Sequence, residues 1–186
     1  MGKVISLINV TVDGFCGSEY VKADAEFHEF VHGILSHTQM VGFGRTTFEL
    51  FQSVWPPILA GGNQPASQVK MAQALNDIDK IAFSGTISST TWNNSRIVKK
   101  IGKEHVNQFS QKNTRDLLTI GSPGVVAALT QLDVVDEYYF GVQPVIAGKG
   151  VRLFDKLQLD VRRPLTLADT TQLKSGVVMM HYVKTK

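Results

Sequence analysis

The sequence predicts an α/β fold with a central, mostly parallel, twisted sheet and an antiparallel C-terminal hairpin. Three observations predict it. Apolar runs of strand length alternate with amphipathic segments as far as Leu132. The first run, Val4–Val12, is nearly continuous and rich in β-branched residues, as suits a strand covered on both faces. Beyond Asp136 the pattern is all-β and closes on two runs, Leu165–Leu173 and Val177–Val183, joined at Lys174-Ser175-Gly176.

Each element has its own signal. Asp13-Gly14 ends the first strand with turn chemistry. From about Ala23 to His37 the stripe Phe27, Phe30, Val31, Ile34 and Leu35 predicts a helix. Met40–Phe43 reads as a strand, followed by Gly44 and a helix from Thr46 to about Phe51. Trp55-Pro56-Pro57 and Gly61-Gly62-Asn63 read as loop. Pro65 suits the first turn of a helix whose apolar residues Ala66, Val69, Ala72 and Leu75 recur every third position. Lys80–Ser84 and Ser95–Val98 are expected strands, Lys103–Lys112 a surface helix, and Leu117–Ile120 a strand running into a helix through Leu132. Tyr138, Phe140 and Val142 alternate with Tyr139, Gly141 and Gln143, and we expect this aromatic strand at an edge of the sheet.

Composition narrows the class without naming a chemistry. The chain has 186 residues, which suits one domain over 1–186. Its 19 Lys and Arg against 16 Asp and Glu leave a charge of +3 with no basic cluster, so nucleic acid is not an expected partner. One cysteine, Cys16, excludes an internal disulfide framework and a cysteine-built metal site, and fits a cytoplasmic setting. Cys16 has no supporting base nearby in sequence and reads as inert. Neither a membrane span nor a signal-peptide pattern is present in the sequence.

Two glycine-led strand exits carry the most chemistry. In Ile120-Gly121-Ser122-Pro123-Gly124-Val125 a strand delivers the chain to a glycine, Ser122 suits an N-cap and Pro123 the first helical position. The exposed N–H groups and positive dipole end of such a helix suit a pyrophosphate. Gly42-Phe43-Gly44-Arg45-Thr46-Thr47 repeats the logic, with Arg45 able to grip a phosphate; the plain alternative is a surface Arg45 paired to Glu49. Two such loops at strand C-terminal ends make one crevice in an open α/β sheet.

Carboxylates and histidines near that crevice have competing readings. Asp24 falls at the margin of the buried helix stripe, so it is either a half-buried proton donor of raised pKa or the N-cap of its helix. Asp13 either faces the crevice or belongs to a plain Asp-Gly turn. His28-Glu29-Phe30-Val31-His32 matches the H-E-x-x-H pattern of zinc hydrolases, but the helical wheel points Glu29 into solvent. Partly exposed helix histidines are the preferred reading, and no metal site is assigned.

Taken in order, these segments resemble the dihydrofolate reductase-like family, and most closely its riboflavin-biosynthesis reductase branch. The matching pieces run from Ile5-Ser6-Leu7 and Asp13-Gly14 through Gly44-Arg45-Thr46-Thr47 and Lys80–Ser84 to Ile120–Gly124. They continue from Val135-Asp136-Glu137 to Leu153-Phe154 and end at Ser175–Val178. The resemblance implies a three-layer reductase fold, NADPH as cofactor, a small-molecule substrate and a homodimer. It also implies Val10, Gly44, Arg45, Thr46, Ser84, Gly121, Ser122, Pro123, Gly124 and Val125 as cofactor-binding residues, with Asp13 and Asp24 as the catalytic carboxylates. The Pro-Trp pair of folate reductases is missing from Gly14–Lys22, and the zinc deaminase half of riboflavin enzymes has no counterpart here. The expected activity is hydride transfer to a pterin- or pyrimidine-like or other unsaturated substrate. A zinc hydrolase and a non-catalytic cofactor-binding dimer module are the competing classes.

Overall fold

Alternation along the first strand sets the layers. In a computed structural model describing residues 2–104, 106, 115–155 and 157–185, β1 (Val4–Thr11) sends Ile5 and Leu7 to one face and Val4 and Ile8 to the other. Ile5 and Leu7 join the core under three helices, α1 (Ala25–Leu35), α2 (Arg45–Ala60) and α3 (Ala66–Asp77). Val4 and Ile8 join Val125, Val126 and Leu129 of α4 (Pro123–Gln131) on the opposite face. The result is a helix–sheet–helix sandwich.

Eight strands form the sheet. Besides β1 they are β3 (Thr38–Gly44), β4 (Asp79–Phe83), β5 (Ser95–Val98), β6 (Asp116–Ile120), β7 (Glu137–Gln143), β9 (Leu165–Gln172) and β10 (Val178–Lys184). Their order is β5-β4-β3-β6-β1-β7-β10-β9; pairing is parallel from β5 to β7, and β10 is antiparallel to both β7 and β9. This is the expected mostly parallel sheet with a C-terminal hairpin.

Three expectations need correction. Tyr138–Phe140 is not at an edge: β7 lies between β1 and β10, and Tyr138 is buried. The homodimer expectation draws on such an edge strand as well as on the family resemblance, and only the resemblance is left to carry it. Second, α2 runs on through Trp55-Pro56-Pro57 to Ala60. Each proline removes an amide donor, but Trp55 is buried in the core and Ile58 and Leu59 pack against it, so the helix continues. Third, a two-stranded clasp escaped notice: β2 (Phe15–Cys16) pairs with β8 (Val151–Arg152), too short for a periodic signal. Of the expected Lys103–Lys112 helix, residues 105 and 107–112 lie outside the described residues.

Candidate active site

The parallel strands β1, β3, β4 and β6 point their C-terminal ends at one cavity of about 730 Å³. Leu7–Asn9, Gly44, Phe83 and Ile120-Gly121 reach it from those ends. Ligands in open α/β sheets bind at such a position, and the volume is within the usual range for small-molecule sites.

The two glycine-led loops meet there. Gly44, Arg45, Thr46 and Gly121–Val125 all line the cavity. The Gly44 N–H donates to Ser122 Oγ (2.8 Å), and Ser122 Oγ donates to Thr47 Oγ1 (2.7 Å). A Cβ on Gly44 would fall 2.7 Å from Ser122 Oγ, so only glycine lets the loops approach this closely. The expected side-chain cap by Ser122 is not formed. Its backbone is left-handed (φ 59°) and its hydroxyl reaches across to the other loop instead. Nothing crowds Gly124 within 4 Å, and among the described residues the Ser122 and Gly124 N–H groups have no protein acceptor. Arg45 meets Glu49 at 3.6 Å with both side chains more than half exposed. Such a pair holds the guanidinium weakly. An open backbone, unused N–H donors and a loosely held Arg at two helix starts fit a dinucleotide's phosphates.

The expected carboxylates are elsewhere. Asp13 Oδ1 accepts from Thr11 Oγ1 (2.6 Å) and the Ala147 N–H (3.0 Å), and Oδ2 from the Gly148 N–H (2.7 Å). These donors, the Thr11 hydroxyl foremost, hold its pKa down at about 2. Asp24 is exposed, not half-buried, and caps α1 by accepting from the Phe27 N–H (2.9 Å). Neither is among the residues that line the cavity. Ser84 Oγ accepts from the N–H groups of Thr86 and Ile87, which turns it into its own loop, and Val10 packs against the core on the α4 side. These two also stand apart from the cavity lining.

A family model described as the RibD C-terminal domain matches residues 2–179. The chain belongs to the RibD C-terminal domain family. Among solved structures it is similar to a putative riboflavin biosynthesis protein from Shewanella sp. PV-4, with TM-score 0.72, 14% identity and 99% of each chain covered. A Thermotoga maritima diaminohydroxyphosphoribosylaminopyrimidine deaminase/5-amino-6-(5-phosphoribosylamino)uracil reductase aligns at TM-score 0.69 and 14% identity, over 99% of this chain and 57% of that one. Enterococcus faecalis dihydrofolate reductase complexed with NADP(H) aligns at TM-score 0.63 and 11% identity, over 100% and 98%. The dihydrofolate reductase-like fold is thereby shown, and the family points to a reductase.

Within this RibD-type domain the histidine pair separates. His28 is buried, 6% exposed, and lines the cavity edge-on to Trp55, with ring centroids 5.6 Å apart. The expectation of a partly exposed His28 fails because Trp55, read as loop, instead sits on α2 and covers it. Glu29 is exposed and bonded to Lys70 at 2.8 Å, and among the described residues no group of three ligands suits a metal ion. The zinc-hydrolase expectation is therefore set aside. Phe51, Trp55 and Met71, also in the lining, carry no site signal in the sequence: Phe51 reads as the end of a helix, Trp55 as loop, and Met71 falls outside the stripe Ala66, Val69, Ala72 and Leu75. Cys16 borders the cavity too, and burial pushes its thiol up to about 11, away from reactivity. Among the described residues no helix is long and apolar enough to cross a membrane.

Proposed function

We propose that this chain is an NADPH-dependent reductase that passes hydride to a small unsaturated molecule, either a pterin- or pyrimidine-like heterocycle or another conjugated substrate. The junction of Gly44 with Ser122 at the wall of one cavity carries the reading, because it joins two helix starts into a single anion-binding surface. Gly44, Arg45 and Thr46 hold phosphate from one side, and Gly121–Val125 cradle the pyrophosphate from the other. Bound NADPH supplies the hydride. The chain's contribution is to orient the two reactants and to exclude water with the apolar walls supplied by α1 and α2.

Support comes from the family match and from two structural neighbours, one a phosphoribosylaminouracil reductase and one a dihydrofolate reductase solved with NADP(H). Asp13 and Asp24 enter this reading as fasteners of a loop and a helix, and proton transfer is not assigned to either. Val10 and Ser84, outside the cavity lining, support the sheet and the β4 exit in this reading.

Fluorescence titration with NADPH and with NADH tests the proposal on the full chain and on Arg45→Ala. NADPH is expected to bind, and the substitution to weaken it about tenfold or more, the worth of a charge-assisted hydrogen bond. Failure of both nucleotides to bind, or an unchanged affinity in Arg45→Ala, would sink the reading.

A further inference from the structure

The cavity has two chemically different ends. Arg45 stands at the helix starts, and among the described lining residues it is the one Lys or Arg, with Asp and Glu absent altogether. The end between α1 and α2 is walled by Phe27, Val31, Leu50, Phe51, Trp55 and Met71. One titratable side chain, His28, interrupts that apolar wall. Its Nδ1 is buried with no hydrogen-bond partner, and the imidazole makes no hydrogen bond to any described residue. Buried polar groups in folded proteins are almost always paired; Nδ1 is closed off, so Nε2, neither buried away nor bonded among the described residues, is the nitrogen left to meet a ligand in the cavity. Burial also pushes the His28 pKa below the ordinary histidine value, outweighing the opposing effect of Asp24. A neutral ring offers one donor and one acceptor.

We propose that the α1–α2 end of the cavity takes an uncharged, flat, largely apolar molecule with one hydrogen-bonding group that His28 meets, and rejects a phosphosugar. The proposal rests on the reductase reading for which end the cofactor occupies. A phosphate carried into this end would lose its water with no cation to replace it. An aromatic ketone loses little, because its rings pack against the apolar wall while its carbonyl accepts from the imidazole. This separates the chain from the Thermotoga maritima neighbour, whose named substrate carries a phosphoribosyl group.

The test is calorimetric titration of the full chain with chromone, a flat neutral ketone, and with uridine 5′-monophosphate, each with and without saturating NADPH. Chromone is expected to bind, and uridine 5′-monophosphate to leave it undisplaced. His28→Phe should weaken chromone about three- to tenfold, the worth of one neutral hydrogen bond, and His28→Gln should recover most of that loss. Far-ultraviolet circular dichroism and the thermal midpoint of both variants should match the parent, which shows that they are folded. Displacement of chromone by the nucleotide in the NADPH-loaded chain would overturn the proposal, as would unchanged chromone affinity in His28→Phe. If NADPH itself fails to bind while chromone binding still depends on His28, the reductase reading falls and the apolar site stands.

Discussion

Asp13 shows how a side chain can be absorbed by local bonding before any catalytic role is open to it. Three donors from two segments converge on its carboxylate, and the group binds the Ala147-Gly148 turn to the end of β1. Its pKa in the fold, about 2, lies below the ordinary 3.8. The unfolded chain therefore takes up the proton first as pH falls. The stabilisation is complete above about pH 4 and fades as pH falls toward about 2. Asp13→Asn should lower the thermal midpoint at neutral pH, and the gap to the parent should close between about pH 4 and pH 2. A gap that stays constant across that range would show that the charge is not what matters.

At the scale of elements, Lys80 does for α3 what a C-terminal glycine does elsewhere. Its ammonium group donates to the carbonyls of Leu75, Ile78 and Asn76 at 2.8, 2.6 and 3.1 Å and lies over the Trp92 ring. Lys80 is 1% exposed, so its ammonium group depends on these carbonyls and not on water for its hydrogen bonds. Lys80→Met keeps the volume and removes the donors, and denaturant unfolding should register a loss of about 3 kcal/mol.

Elements also explain what could be read in advance. β1 and the two glycine-led helix starts were legible because β-branched content, glycine and hydroxyl residues act within a few positions of one another. α2 was read short because prolines argue locally for a break, whereas burial of Trp55 argues tertiarily for continuation. That misreading hid the environment of His28, whose cover lies 27 residues further along the chain. Asp24 was legible as a cap, but the wheel alone does not decide between a cap and a half-buried acid. The β2–β8 clasp joins segments far apart in sequence through two residues each, below the length at which alternation registers.

On the scale of the whole molecule, the strand order does the assembling. β3 and β6 are neighbours although α2, α3, β4 and β5 intervene in sequence, so the loops that leave them meet at one point. Gly44 and Ser122, 78 residues apart, share a hydrogen bond and compete for the same space. The two positions therefore behave as one compensating pair. Gly44→Ala alone should cost about 1–3 kcal/mol, since its methyl group would overlap Ser122. Ser122→Gly removes that obstacle and also relieves a left-handed backbone. The double variant should then be more stable than the sum of the singles by at least about 0.5 kcal/mol in urea unfolding. Strict additivity would show that the loops relax independently. If the coupling holds, neither loop is free to drift in sequence alone: a change in one opens a path to change in the other, between two adjoining strands.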